Sequence, residues 1–261
     1  MILATYNILN PYHAVKWDTC EGLTDDGADN WELSRRDKII NNLNLIDFDV
    51  CCLQEISDRT YPELSKYFTF SGFAKHWTKD QGGAHGTAVI YRPERIQVIR
   101  SMHYQTPGPH WRCASTCDIK EYKTGKVIRV VSVHLKGYNP YEEELSVKRE
   151  QQQTGDQELD FYLNEIEQDL SGIDGIVIMG DFNEDHPEMI ARGDHSRQGV
   201  LIKRGFTWDR MEDVTESRTG RKIDWIFYKD VNSSASSLEH CEVNQDRSAS
   251  DHAITASIIK W

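Results

Sequence analysis

Apolar residues recur along this chain in short runs separated by polar or glycine-containing turns. Runs with strand character fall at residues 2–7, 49–54, 87–91, 96–102, 112–119, 127–134, 175–179, 223–228 and 253–259. Two stretches carry a helical period instead. In the first, Ile39, Leu43 and Ile46 fall at i, i+4 and i+7, with Ser34 near the expected start. In the second, Leu159, Leu163, Ile166 and Leu170 continue to i+11 behind the charged run 142–150. Many strands, with helices between their early and late groups, predict an α/β fold. Its expected form is two packed mixed β-sheets flanked by helices, a four-layer α/β sandwich. The chain has no repeats and no low-complexity linker. Its nearest approach to one is SSASS at 233–237, short enough for a hairpin loop or a crossover. Residues 1–261 therefore read as one domain.

The strand ends change the picture. The first predicted strand ends at Asn7, the second runs into Glu55, and the sixth ends at His134. The apolar run VIM, followed by a glycine, delivers Asp181 and Asn183 in GDFNE. Asp224 opens KIDWIF, and Asp251 and His252 precede the last strand in SASDHAI. Six separate strands thus carry an Asn, Asp, Glu or His at one end, more than chance readily places there.

Composition and charge narrow the chemistry. Hydrophobic residues make up 38% and charged residues 28%, a globular balance. No apolar run approaches the ~18 residues of a membrane span, and the first residues are too short and uncharged for a signal peptide. The six cysteines form no CxxC pair and no zinc-like spacing. Cys51 and Cys52 sit in an apolar stretch and read as small core residues, which points to a reducing, cytoplasmic setting. The net charge of −12 argues against nonspecific grip on long duplex nucleic acid. It favours a small or single-stranded phosphate ester, or a substrate whose charge a metal meets.

Taken in order, TYN, LQE, VHL, GDFNE, IDWIF and SDHAI resemble the endonuclease/exonuclease/phosphatase superfamily, over nearly the whole chain from Thr5 to Ile254. Within it, TYNILN, NWELSRRDKII and NPYEEELSVKREQ are most similar to the branch of poly(A) deadenylases, nocturnin and the angel proteins. The last of these includes Val147, Lys148 and Gln151. The acidic segment DTCEGLTDDGAD at 18–29 has no counterpart in that resemblance.

Hydrolysis of a phosphate ester needs an activated water, neutralised nonbridging oxygens and help for the leaving oxygen. The residue types present fit those needs, and the resemblance implies the same roles. Glu55 and Asp251 are expected metal ligands for Mg²⁺, with Mn²⁺ as a substitute, since both ions take oxygen donors. Asn7 adds a carbonyl oxygen or orients a bound water. Asp181 is the expected base. Asn183, two residues on in an extended chain, points the same way and bonds the water or the phosphoryl oxygens. His134 and His252 donate to developing charge, and Asp224 holds the His252 ring. Each residue alone has a plainer reading: a surface carboxylate, an Asx turn at Asp181 and Asn183, a loop cap, a core histidine. The ordered set favours chemistry. Glu184, Asp185 and His186 read as turn or rim residues.

Substrate contacts are expected from Lys136, Arg112, Tyr138 and Trp111. His85 is a candidate for the cleft wall, and Phe206 and Trp208 for base stacking. For each, an ordinary solvated or half-buried side chain is an equal reading. The expectation is a metal-dependent phosphodiesterase or phosphatase acting on single-stranded RNA, as a 3′–5′ exonuclease-like nuclease, or on a nucleotide phosphate, with no membrane span and no obligate protein partner. Phospholipid head groups, inositol phosphates or DNA are alternative substrates, and a catalytically inactive binding module is the alternative from another class.

Overall fold

The computed structural model describes residues 1–11, 35–78, 83–107, 112–137, 144–208, 214–217, 219–232 and 236–261. The expectations for Ser34, Trp111, Tyr138, the acidic segment 18–29 and residues 233–235 lie outside them.

Two six-stranded sheets form the centre. The first contains β1 (Ile2–Asn7), β2 (Val50–Ser57), β3 (Thr69–Thr78), β4 (Gly83–Tyr91), β11 (Ser237–Cys241) and β12 (Thr255–Lys260), in the order β11-β12-β1-β2-β4-β3. The second contains β5 (Ile96–Gln105), β6 (Cys113–Glu121), β7 (Val127–His134), β8 (Gly175–Asp181), β9 (Thr207–Trp208) and β10 (Asp224–Asp230), in the order β5-β6-β7-β8-β10-β9. Among the described residues each sheet holds one parallel pair, β1 with β2 and β7 with β8. Parallel neighbours need a crossover. The helices α1 (Arg36–Leu45) and α3 (Leu145–Ile166) lie in the two crossovers, and the short α2 (Thr60–Leu64) follows β2. These are the two helices the periodicity predicts, although α1 ends at Leu45, short of Ile46, and α3 at Ile166, short of Leu170.

Period-two alternation sorts the strand residues into layers. Leu3, Cys52, Val89, Val130, Val177, Met179 and Ile226 meet between the sheets. Ala4, Tyr6, Cys51 and Leu53 face outward under Ile39 and Leu43 of α1. Val131, Val133, Ile176, Ile178, Trp225 and Phe227 face outward under Leu159, Leu163 and Ile166 of α3. The result is the four-layer α/β sandwich that the pattern predicts. The same count sends Asn7, His134, Asp181 and Asp224 inward, to the end of the inter-sheet space where the parallel strands finish. Ligands in open α/β sheets bind at that carboxyl end.

Several elements were not expected. The strands β3, β9 and β11 occupy sheet edges or positions next to them, where one side of the strand is solvated and the apolar pattern thins. The short helices α4 (His186–Arg192) and α5 (Arg197–Lys203) fill the connection from β8 to β9. α4 starts with a capping box, in which Asp185 accepts from Glu188 N and the Glu188 side chain accepts from Asp185 N. Asp185 is therefore a helix cap. No helix among the described residues is long and apolar enough to cross a membrane.

Candidate active site

The ends of four strands, the bulge in β2 and the loop before β12 deliver polar residues to one place. Asn7 and Gln54 are partners across β1 and β2, and His134 and Asp181 across β7 and β8. Asp224 opens β10 opposite Asp181. Beneath them, Gln54 ties the sheets together: its Oε1 accepts from Thr5 Oγ1 at 3.2 Å, and its Nε2 donates to Ser132 Oγ at 3.2 Å. Gln54 belongs to the buried support of the site. Sequence reasoning passed over it because its LQE motif drew attention to Glu55.

Glu55 reaches the site by a device that alternation does not show. Counting by twos from Cys51 and Leu53 places it on the outer face. The register between β2 and β4 instead shifts at Gln54/Ile56, and Glu55 takes φ 60°. This β-bulge turns the carboxylate toward the site, a use for which bulges recur beside active sites. Leu9 (φ 55°) and Asn183 (φ 51°) also adopt the left-handed conformation, uncommon for residues other than glycine. Backbone held this way costs on the order of 1–3 kcal/mol per residue and persists where surrounding structure fixes it. Gly180 has a different constraint. At φ 147° its Cα lies against β7, and a Cβ there would meet Val133 O at 2.0 Å, so no side chain fits before Asp181.

Asn7 is the hub. Its Nδ2 donates to Glu55 Oε1 at 3.3 Å and Asp181 Oδ2 at 3.1 Å, and lies 3.4 Å from His252 Nε2. Its Oδ1 accepts from Leu9 N at 3.0 Å. Asn7 thus presents amide hydrogens to the carboxylates and turns its oxygen to the chain, so the expected carbonyl contact to a metal is not the arrangement seen here. Glu55 Oε2 accepts from Asn10 N at 2.7 Å. His252 Nδ1 lies 2.8 Å from Asp224 Oδ2, and its Nε2 is 3.9 Å from Asp181 Oδ2 and 3.8 Å from Asp251 Oδ1. His134 Nε2 sits 3.6 Å from Asp181 Oδ2. All of these side chains are buried.

Burial sets the electrostatics. It pushes the Asp181 carboxyl up to about 7, with Asp224 adding to the rise and His252 opposing it. Burial alone would lower His252, but Asp224, then Asp251 and Asp181, overcome it and hold the imidazole well above its usual range. Four carboxylates (Glu55, Asp181, Asp224 and Asp251) share the site with two imidazoles. Among the described residues, Asp224 Oδ1 is buried with no hydrogen-bond partner. One ligand atom from each of Asp181, Asp224 and His252 lies within 4.8 Å of the others. Such a concentration of buried oxygen donors fits a hard divalent cation, whose charge offsets the excess.

Asn183 differs from its expected geometry. The chain is not extended there, because the left-handed φ folds it back and Asn183 N donates to Asp181 Oδ1 at 2.8 Å, as in an Asx turn. Its Nδ2 donates to Leu135 O at 3.0 Å, so the amide joins the loops after β7 and β8. A Cβ on Gly137 would meet Asn183 Oδ1 at 2.4 Å, so glycine leaves the room that this amide needs. Arg112 directs Nη1 to His134 O at 3.0 Å. Lys136 is half-buried, and burial, then Arg112, lowers its ammonium from the usual lysine range. Its backbone N–H donates to the buried Glu158 at 2.6 Å.

Two candidates take other places, and a third, His85, is fully buried in β4 opposite Ser57. Phe206 packs into the core under the Lys229 ammonium, which closes its ring to a stacking base. Trp208 is half-buried with its ring edge-on to Trp225 at 5.2 Å. Glu184 is not a rim residue either. It is buried, pairs with Arg192 and accepts from Arg197 N at 2.5 Å.

Acid–base groups and oxygen donors at the shared end of two helix-flanked sheets describe a phosphoester hydrolase. The chain belongs to the endonuclease/exonuclease/phosphatase family, whose model matches residues 4–252. No curated protein matches the chain by sequence. Among solved structures, a mannosyl-6-phosphatase from Bacteroides thetaiotaomicron is 15% identical with a TM-score of 0.70, covering 100% of both chains. The human nocturnin catalytic domain with a bound sulfate anion is 18% identical with a TM-score of 0.67, over 100% of this chain and 94% of that one. ANGEL2, a 2′,3′-cyclic phosphatase, is 15% identical with a TM-score of 0.66, over 99% of this chain and 94% of that one. At these identities the likeness is one of fold. The neighbours include both nocturnin and an angel protein, the branch the motifs resemble.

The 2.8 Å contact between His252 Nδ1 and Asp224 makes a specific demand. If Asp224 acts through His252, Asp224→Asn and His252→Ala should each lower kcat, and the double variant should lose less than the sum. A coupling of at least about 1 kcal/mol is expected. Additive losses in that cycle would separate the two residues.

Proposed function

We propose that residues 1–261 act as one catalytic unit, a divalent-metal-dependent phosphoesterase that hydrolyses single-stranded RNA ends or nucleotide phosphates in the cytoplasm. The observation that carries this reading is the convergence of Asn7, Glu55, His134, Asp181, Asp224 and His252 within hydrogen-bonding or near-contact distance. Glu55 and Asp251 would hold the cation, Mg²⁺ with Mn²⁺ as a substitute. The cation supplies neutralising charge to the nonbridging phosphoryl oxygens. Asp181, oriented by Asn7 and by Asn183 N, takes the proton of the attacking water at Oδ2. His134 and the cationic His252 flank Asp181 and donate toward the charge that develops on the phosphoryl group and the leaving oxygen. Asp224 keeps Nδ1 of His252 hydrogen-bonded, which aims Nε2 into the site. Lys136 and Arg112 stand beyond His134 as the basic groups for substrate phosphate.

Charge supports the substrate class. A net −12 surface repels polyanions at a distance. Long duplex DNA presents about one charge per ~1.7 Å of axis, which a basic groove must meet. A nucleotide or a single-stranded 3′ end needs only one phosphate neutralised. Nocturnin and ANGEL2 are relatives in fold, and the ANGEL2 name carries a 2′,3′-cyclic phosphate substrate, consistent with this reading. The test is a kcat/KM comparison in Mg²⁺ at fixed moderate salt. Short single-stranded RNA or a nucleotide phosphate should turn over faster than duplex DNA of equal phosphate content. Preferential nicking of duplex or abasic DNA would overturn the reading. Faster turnover of sugar, inositol or lipid phosphates would keep the chemistry and change the substrate.

A further inference from the structure

The loops that carry the site residues leave strand ends buried, and the backbone carbonyls there need donors. Two arginines from opposite halves of the molecule supply them. Arg35, ahead of α1, is 2% exposed. Its Nη1 donates to Ile8 O at 2.7 Å and Ala249 O at 3.3 Å, and its Nη2 to Leu9 O at 2.8 Å. Ile8 and Leu9 follow Asn7 and lead to Asn10, whose N–H binds Glu55. Ala249 lies just before Asp251 and His252. One guanidinium therefore fastens the loop after β1 to the loop before β12.

Arg197, at the start of α5, is 1% exposed. Its Nη1 donates to Phe182 O. Its Nη2 reaches Lys136 O at 3.0 Å and Gln152 O at 3.3 Å, and its Nε reaches Asp156 Oδ1 at 3.1 Å. Phe182 stands between Asp181 and Asn183, and Lys136 is two residues past His134. This guanidinium joins the loops after β7 and β8 and anchors both to α3. The helix makes room for it: a Cβ on Gly155 would lie 2.0 Å from Arg197 Nη2 and 2.5 Å from Lys136 O. Glu184 secures the other side by accepting from Arg197 N.

We propose that Arg35 and Arg197 are positioning residues with separate duties. Arg35 fixes the loops that present Asn7, Glu55 and Asp251. Arg197 fixes the loops that present His134 and Asp181. Guanidinium is required because its donors spread over a planar fork and can span carbonyls on two loops at once. A lysine ammonium concentrates its donors on one atom. The kinetic half of this proposal rests on the metal-dependent phosphoesterase reading.

The experiment uses Arg35→Lys and Arg197→Lys in the full chain, read by kinetics and by amide hydrogen exchange. Arg197→Lys should lower kcat by about 10²-fold, the cost of misplacing reacting groups by an ångström, with half-saturating Mg²⁺ unchanged. Arg35→Lys should raise half-saturating Mg²⁺ by about 10–100-fold, the usual loss when support around a metal site is removed, with kcat recovered at saturation. Exchange should quicken at residues 135–137 and 182–184 in Arg197→Lys, and at 8–10 and 249–252 in Arg35→Lys. A purely structural role would quicken exchange throughout and lower the active fraction in both variants without this split, and that result overturns the proposal. Gly155→Ala is the backup should a lysine variant fail to fold. It keeps the arginine and raises helix propensity, yet should lower kcat at least about tenfold by displacing Arg197; wild-type kcat there would also overturn the assignment. If the wild-type chain hydrolyses no phosphoester in Mg²⁺, the functional reading fails, and the localised exchange pattern still decides the positioning role.

Discussion

Asp181→Asn is expected to lower kcat by about 10²–10⁴-fold, the range for loss of a general base, with circular dichroism unchanged. The replacement keeps the side chain's size and its Oδ1, which can still accept from Asn183 N as it does now. What it loses is the oxygen that Asn7 Nδ2 approaches at 3.1 Å and that both His134 and His252 face. In the variant an amide nitrogen stands there in one of its two orientations. It cannot take a proton from water, and it sets donor against donor at Asn7. Substrate should still bind, so the loss falls on kcat more than on KM. Burial, with Asp224 adding to it, raises the Asp181 carboxyl to about 7. Near-normal turnover in Asp181→Asn would assign water activation to another group.

The layout of this site was legible in the sequence to different depths. Asn7, His134, Asp181 and Asp224 lie where strand alternation puts them, at one end of the inter-sheet layer, because buried strands keep period two when nothing interrupts them. Glu55 is at the site for a reason that alternation would deny, since its position depends on a bulge that re-phases β2. No residue in CCLQEIS announces a bulge, and glycine, the usual marker, is absent. At Asn183 the extended chain gives way to the Asx turn that is its plainer reading, a left-handed turn that alternation does not show. Arg35 lies inside NWELSRRDKII, yet neither it nor Arg197 shows its role in the sequence. Their roles depend on carbonyls far away in sequence, and a charged residue beside a helix start reads as solvated until the packing is seen. The helix cap at Asp185 was the one miss with a visible sign, the D-H-P-E spacing of a capping box with proline in the first turn. Phe206 shows the reverse error, an aromatic residue taken for a binding surface that the core had already claimed.

Chelation should abolish hydrolysis, and Mg²⁺ or Mn²⁺ should restore it. The argument is electrostatic. Glu55, Asp181, Asp224 and Asp251 are all buried in one cluster, with His134 and His252 as the imidazoles facing it. Uncompensated buried charge is expensive, on the order of several kcal/mol per ion even after relaxation. A divalent cation on Glu55 and Asp251 would offset it, and the phosphoryl oxygens of a substrate need the same charge. Because the cation binds the folded chain, it should also stabilise it. At 100 times Kd the gain is about 2.7 kcal/mol, which for a chain of this size corresponds to a rise in Tm on the order of 5–10 °C. That shift is measurable without any substrate, so it separates metal binding from catalysis. Glu55→Gln removes one ligand charge while keeping an acceptor for Asn10 N. It should raise the Mg²⁺ needed for both the Tm shift and half-maximal rate. An unchanged Mg²⁺ titration would take Glu55 out of the metal site, and full activity in chelator would sink the metal mechanism and leave the acid–base groups to act alone.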